Sequence, residues 1–324
     1  MIVSLQRGAS ANVVKEKLAE FGQWVGAVER DPSGQVFLVI APHSMKINPE
    51  KLRGIPGVGS VSEPTSPHPK IEAQGPYVEV DGLRVGGKTP TFFSGPCSVE
   101  SEEQIFLIAR RVAAAGVSFL RGGAYKPRTS PYAFQGHGEP ALIWLQRAAK
   151  EFHLKTVTEV LSEATAPMVA QYADLMQIGS RNMQNFSLLK EVGKTQKPVL
   201  LKRGMSSTVE EWLLSAEYLL VHGAKGVILC ERGIRGFDNN TRNLLDLVSV
   251  ALLSNVYQLP VIVDPSHGTG RRDLILPLSR ASLAAGAAGV MIEAHNDPGS
   301  ALSDGPQALT LDELQEVMQQ LTQK

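Results

Sequence analysis

Hydrophobic and polar positions fall into two regimes along this chain, with the change near residue 90. Met1–Arg7 reads as a short apolar strand. A helix comes next, started by Ser10 or Asn12, with Val13, Val14, Leu18 and Phe21 on one face. Trp24–Glu29 and Gln35–Ile40 form the arms of a hairpin across Asp31-Pro32-Ser33-Gly34, a strong turn sequence. Pro49 opens a short helix through Leu52, and Val58–Val61 closes the unit. This βαββαβ order predicts a small α+β ferredoxin-like (ACT-like) sheet with its helices on one face, over residues 1–64. Residues 65–76, opening on Thr65-Ser66-Pro67-His68-Pro69, read as a stiff polar linker. The second domain spans 77–324. It begins with a hairpin, Tyr77–Val80 and Leu83–Val85 around Asp81-Gly82, placed to plug the bottom of the rest of that domain.

From Thr91 onward short apolar strands alternate with amphipathic helices. The strands end in Gly95-Pro96-Cys97, Arg121-Gly122-Gly123, Thr158-Glu159, Ile178-Gly179-Ser180-Arg181, Leu201-Lys202-Arg203, Cys230-Glu231-Arg232, Asp264-Pro265-Ser266-His267 and Ile292-Glu293-Ala294-His295. Eight βα units within roughly 250 residues predict an α/β fold, a (β/α)8 TIM barrel. An open doubly wound sheet is the alternative. It would carry a glycine-rich phosphate fingerprint after its first strand, and Gly95-Pro96-Cys97-Ser98 is not one.

Composition narrows the function classes. The 324 residues, 43% of them hydrophobic, suffice for a large core plus an accessory domain. Lys+Arg and Asp+Glu stand at 32 each, which argues against an extended nucleic-acid or anionic-membrane surface while allowing a local basic pocket. Two cysteines, Cys97 and Cys230, do not make a disulfide framework. No apolar run is long enough for a membrane span and no signal core precedes Arg7, so a cytoplasmic protein is expected.

Each barrel strand starts apolar and turns polar at its C-terminal end, the end that forms the catalytic mouth in this architecture. Two sets of side chains collect there. Cys97, His267, Glu293 and Asp304 combine a thiol, an imidazole and two carboxylates, donors that suit a divalent first-row metal. Individually Cys97 could be a small buried hydrophobe, His267 a loop group and Asp304 a turn cap before Gly305-Pro306. Their joint placement favours the metal. Cys230 reads as packing, and His295 as a weaker substitute ligand. The second set is cationic: Arg121, Lys126, Arg128, Arg181, Lys202 and Arg232. Converging at strand ends, these bind phosphate and carboxylate groups, so the substrates carry more than one anionic group. A Schiff-base role for Lys126 or Lys202, as in a class I aldolase, would leave the metal set without a purpose.

Three segments resemble one family. They are Gly95-Pro96-Cys97-Ser98-Val99-Glu100, the run Arg121-Gly122-Gly123-Ala124-Tyr125-Lys126-Pro127-Arg128-Thr129-Ser130-Pro131-Tyr132, and Asp264-Pro265-Ser266-His267. The chain from about Thr91 to its end is similar to the 3-deoxy-D-arabino-heptulosonate 7-phosphate synthases, type I-beta. The related 3-deoxy-D-manno-octulosonate 8-phosphate synthases carry a Lys-Ala-Asn-Arg-Ser-Ser segment where this chain has Lys126-Pro127-Arg128-Thr129-Ser130.

The resemblance implies condensation of phosphoenolpyruvate with erythrose 4-phosphate, the first step of the shikimate pathway to aromatic amino acids. It implies Cys97, His267, Glu293 and Asp304 as ligands of Mn, Fe, Co or Zn. It implies Arg121, Lys126, Ser180, Arg181, Lys202 and Arg232 around phosphoenolpyruvate, and Arg128 and Thr129 around the aldose phosphate. Glu159 would sit near the reacting carbons, where it could position a water, and Lys126 would donate a proton to the new hydroxyl. The small N-terminal domain is similar to the regulatory domain of some members, which implies feedback inhibition by Tyr or Phe and a homotetramer. Two alternatives stand beside this reading: the octulosonate enzyme, and a non-catalytic sensor of aromatic amino acids.

Overall fold

In the N-terminal unit, β1 (Ile2–Leu5), β2 (Val25–Arg30), β3 (Val36–Ile40) and β4 (Val58–Ser62) form one antiparallel sheet in the order β2-β3-β1-β4. Helix Ala11–Glu20 follows β1 and helix Pro49–Arg53 follows β3. Their buried residues Val14, Leu18 and Leu52 pack with Val3, Leu5, Leu38, Ile40, Val58 and Val61 on one face of the sheet, the expected ferredoxin-like arrangement. The Asp31 turn forms as its residues dictate: Asp31 Oδ1 accepts from the Ser33 and Gln35 N–H groups at 2.9 and 3.0 Å. Val13 and Phe21 differ from expectation. Both are exposed, because the sheet covers only the narrow stripe through Val14 and Leu18 and leaves the helix flanks in solvent.

This is a computed structural model that describes residues 1–63, 65–128 and 130–323. It divides into two compact units, Met1–Pro67 and His68–Lys324. The stretch expected to be a linker, 65–76, holds a helix, Pro69–Gln74. Glu217 accepts its Lys70 and Ile71 N–H groups at 3.0 and 2.9 Å, and Ile71 is fully buried against the barrel's helix layer. A carboxylate placed on otherwise unpaired first-turn amides is what stabilises so short a helix.

In the larger unit β5 (Tyr77–Val80) and β6 (Leu83–Gly86) pair as a hairpin. Eight parallel strands then close a barrel: β7 (Thr91–Gly95), β8 (Phe119–Arg121), β9 (Lys155–Glu159), β10 (Leu175–Ile178), β11 (Val199–Lys202), β12 (Val227–Glu231), β13 (Val261–Val263) and β14 (Gly289–Glu293). Side chains alternate between the barrel interior and the surrounding helices. Phe93, Phe119, Val157, Leu175, Leu200, Ile228, Ile262 and Met291 form the interior layer, together with Val78, Val80 and Val85 of the hairpin. The hairpin therefore closes the N-terminal end of the barrel. Residues one step out of phase, such as Leu120, Met176, Leu201, Leu229 and Val263, pack against the helices.

The same alternation carries charge outward at one place. Arg203 and Glu231 are out of phase with the interior and meet behind the barrel wall, Arg203 Nη1 donating to Glu231 Oε2 at 3.0 Å and to Asp246 Oδ2 at 2.8 Å. Glu231 also accepts the Gly233 N–H at 2.6 Å, and both ion-pair partners are buried. Removing one member of a buried pair strands the other charge away from water. Arg203→Leu is therefore expected to destabilise the barrel by about 3–5 kcal/mol, read as a lowered urea midpoint at unchanged slope.

Candidate active site

Two residues beyond the interior layer, the strands reach the open end of the barrel. The in-phase residues there are Arg121, Glu159, Gln177, Lys202, Asp264 and Glu293, with Gly95 and Cys230 completing the ring. Polar side chains replace apolar ones at this level because the barrel is no longer covered above it.

Asp264, fully buried, organises the metal-ligand candidates. Its Oδ1 accepts the His267 N–H at 2.9 Å, starting the short helix Pro265–Thr269. Its Oδ2 lies 2.8 Å from His267 Nδ1 and pairs with the Lys202 ammonium. The imidazole is thereby turned with Nε2 outward, 3.1 Å from Glu293 Oε2 and 4.0 Å from Asp304 Oδ2. Glu293 is buried, accepts from Arg121 Nη1 at 3.0 Å, and its N–H donates to Ser266 Oγ at 3.0 Å. The Cys97 thiol donates to Asp304 Oδ2 at 3.2 Å. Asp304 sits at φ 52°, a left-handed conformation that costs a non-glycine residue about 1–3 kcal/mol and is held by its surroundings. One donor atom from each of Cys97, His267, Glu293 and Asp304 lies within 4.8 Å of the others. One sulfur, one nitrogen and two carboxylate oxygens at that spacing fit a divalent first-row metal, and Asp264 behind His267 is the expected carboxylate–imidazole support.

Proton balance in this cluster is uneven. Burial opposes a charged imidazole, yet Asp264 and Glu293 outweigh it and raise the His267 pKa to about 9. Burial would likewise raise the Glu293 carboxyl, but His267 and Arg121 hold it below its usual range. At pH 7 the metal-free site thus holds a protonated His267, whereas a metal takes the neutral ring. Metal affinity is expected to rise with pH up to about 9, with at least one proton released per ion at pH 7. Titration calorimetry of Mn in buffers of different ionisation enthalpy measures that release; none would contradict the His267 assignment.

Beside the quartet lies a cavity of about 440 Å³. Among the described residues its lining holds Arg121, Lys126, Arg128, Arg181, Lys202, Arg232 and Arg242 against two carboxylates, Glu159 and Asp304. Lys126, buried, donates to the Cys97 carbonyl at 2.9 Å and to Cys97 Sγ at 2.8 Å, so it stands between the quartet and the cavity. Arg181 Nη1 donates to the Pro127 carbonyl at 3.3 Å. Burial lowers the Arg232 pKa below its ordinary range, Asp264 opposes that, and Arg242 adds to it. Arg232 Nη1 has no hydrogen-bond partner among the described residues. Glu159 reaches the cavity floor beside Gly179, where a Cβ would lie 2.0 Å from Glu159 Oε1; only glycine leaves that carboxylate its place. Ser180 also lines the cavity, its hydroxyl buried and without a partner among the described residues.

The sequence-predicted residues thus meet in one place, with two exceptions. His295 turns away from the quartet: its Nδ1 accepts the Asp297 N–H at 3.0 Å and its Nε2 faces Gln104 Nε2 at 2.8 Å. It is not a substitute ligand, because Asp297 in the loop after β14 and Gln104 on the helix after β7 occupy its two ring nitrogens. Thr129 lies outside the described residues. Cys230 is buried in the interior layer, and burial pushes its thiol up, as befits a packing residue. Lys202 is held against the buried Asp264 carboxylate and is not presented for Schiff-base chemistry. Asp264, Gln177 and Arg242 were not singled out as site residues beforehand. Interior phase would have found the first two; Arg242 has no such signal.

Comparison with known proteins agrees with this geometry. A profile of the DAHP synthetase I family matches residues 70–324. A phospho-2-dehydro-3-deoxyheptonate aldolase of Thermotoga maritima is 42% identical over 327 aligned residues, covering 99% of this chain and 96% of that protein. A crystal structure of a phospho-2-dehydro-3-deoxyheptonate aldolase from Thermotoga maritima superimposes with a TM-score of 0.77 at 41% identity, over 99% of this chain and 95% of that one. A 2-dehydro-3-deoxyphosphooctonate aldolase of Methylibium petroleiphilum is 33% identical, over 74% of this chain and 92% of its own.

Proposed function

The chain belongs to the DAHP synthetase I family, and on that premise we propose that its barrel mouth joins phosphoenolpyruvate to erythrose 4-phosphate and releases phosphate. The observation that carries this reading is the Cys97/His267/Glu293/Asp304 quartet, whose His267 and Asp304 line a cavity that also holds seven Lys and Arg side chains among the described residues. The family is metal-dependent, and those four residues would hold the ion; the mixed S/N/O set suits Mn, Fe, Co or Zn. When bound, the metal supplies Lewis acidity toward the aldehyde oxygen.

The chain's own residues do the rest. Arg121, Arg181, Lys202 and Arg232, with Ser180, neutralise and orient phosphoenolpyruvate in place, so little reorganisation is needed as charge moves. Arg128 and Thr129 hold the aldose phosphate. Carbon 3 of phosphoenolpyruvate then bonds to the aldehyde carbon, and Lys126 delivers a proton to the oxygen that becomes the new hydroxyl. Carbon 2, left electron-deficient, takes up a water oriented by Glu159. The C–O bond to phosphate then breaks with its electron pair leaving on phosphate as the water oxygen becomes the C2 carbonyl; one of its protons restores Lys126 and the other departs with phosphate.

The greater identity and fuller coverage of the heptonate relative favour the four-carbon aldose phosphate over a five-carbon one. The test is phosphate release by chelated protein with each metal and either erythrose 4-phosphate or arabinose 5-phosphate restored. Release requiring metal and erythrose 4-phosphate is expected. Preference for arabinose 5-phosphate would make this the octulosonate enzyme, and ligand binding without any release would leave a sensor. We also propose that the N-terminal unit is regulatory and that the enzyme is a homotetramer inhibited by Tyr or Phe. The antiparallel four-stranded sheet with both helices on one face supports it. Turnover unchanged by either amino acid would reject it.

A further inference from the structure

The loop after β12 folds back over the barrel mouth. Ile234 and Leu244 exchange backbone hydrogen bonds at 2.9 and 2.8 Å, so the returning limb runs beside the outgoing one. The two limbs are close: a Cβ built on Gly233, at φ +92°, would lie 2.7 Å from Asn243 Cβ. The returning limb is also tied to the segment that carries His267. The Arg242 N–H donates to Thr269 O at 2.9 Å, and the Asn243 N–H and amide donate to Gly268 O at 3.1 and 3.3 Å. Backbone on both sides therefore brings Arg242 next to Arg232, at the rim of the same cavity.

Neither guanidinium has a hydrogen-bond partner there among the described residues. The Arg242 side chain lies on the Gly270 backbone, with Nε and Cζ 3.3 and 3.5 Å from where a Cβ would project. Its nearest carboxylate, Asp304 Oδ1, is 3.9 Å away, beyond hydrogen-bond reach, and the side chain is 46% exposed. Arg232 is buried with Nη1 unpartnered among the described residues. Two neighbouring guanidiniums with free N–H groups repel each other unless a multidentate anion lies between them.

We infer that Arg242 is a further phosphate-binding residue, closing from the rim on the phosphate that Arg232 takes from the wall. The inference rests on the proposed reaction and specifies which phosphate is meant. Arg128 and Ser130 follow β8, four strands from β12 in the ring and so across the barrel from Arg242. Arg242 thus shares the Arg232 side of the mouth, opposite the aldose phosphate at Arg128, which assigns it to the phosphate of phosphoenolpyruvate. Arg242 holds that group while bound and releases it as the exposed arm swings back onto Gly270.

The test compares metal-loaded wild type with Arg242→Gln and Arg242→Lys in steady-state turnover, and by calorimetric titration with inorganic phosphate. In Arg242→Gln, KM for phosphoenolpyruvate and the dissociation constant of inorganic phosphate should each rise by roughly tenfold or more. KM for erythrose 4-phosphate and metal content should stay unchanged, and Arg242→Lys should recover part of the loss. Unchanged phosphate binding, a change confined to erythrose 4-phosphate, or loss of metal (action through Asp304) would each overturn the inference. A wild type that binds phosphate but does not turn over the two substrates would overturn the reaction instead. The titration separates the two failures.

Discussion

Cys97→Ala is expected to lower turnover by on the order of 10³-fold or more, because a Lewis acid stabilises the transition state by several kcal/mol and each 1.4 kcal/mol is about tenfold. Cys97 contributes the only sulfur of the quartet, and its thiol already meets Asp304 at 3.2 Å. Alanine leaves His267, Glu293 and Asp304, three hard or borderline donors without the thiolate that selects first-row metals. Bound metal, measured by mass spectrometry after dialysis, should fall in parallel with turnover. Cys230→Ala is the matched control. That thiol lies within the barrel's apolar layer, and its loss should leave metal content and turnover near wild type. Full metal occupancy and normal turnover in Cys97→Ala would remove the quartet from the chemistry.

Much of this site was legible because a parallel barrel converts sequence into position. Once eight apolar runs are counted, the residues that end them must ring one mouth. Cys97, Arg121, Glu159, Lys202, Arg232, His267 and Glu293 could be collected that way before their geometry was known. Adjacency along the chain was less informative. Lys202 and Arg203 look alike as neighbouring cations at one strand end, yet alternation sends Lys202 inward to Asp264 and Arg203 outward to Glu231 and Asp246. Glu231 and Arg232 divide the same way. Arg203 and Glu231 hold the wall; Lys202 and Arg232 face the substrates.

Loops were the least legible. Arg242 sits ten residues past Arg232 on a loop with neither hydrophobic period nor strand end, and only the return pairing of Ile234 with Leu244 brings it back. His295 shows the opposite error. Two residues from Glu293, it has the chemistry of a ligand, but its backbone has already left the strand and its ring serves Gln104 and Asp297. The N-terminal helix shows a third kind. Val13 and Phe21 are apolar at near-helical spacing, and propensity alone cannot tell how much of a helix a four-stranded sheet will cover.

Lys126→Met is the sharper probe of the acid–base assignment. Methionine keeps the buried stem and removes only the ammonium that spans Cys97 and the cavity. All four metal-ligand candidates remain, so the variant should bind metal near wild-type level. Turnover should nevertheless fall by about 10²–10³, the usual loss when one preorganised donor to a developing oxyanion is removed. The loss should appear in kcat more than in KM for phosphoenolpyruvate, since Arg121, Arg181, Lys202 and Arg232 still hold that substrate. A loss confined to KM for phosphoenolpyruvate would make Lys126 a binding cation only, and normal turnover would exclude it from the reaction. Either outcome would shift the donor role to Glu159 or a solvent molecule, leaving the Cys97/His267/Glu293/Asp304 assignment in place.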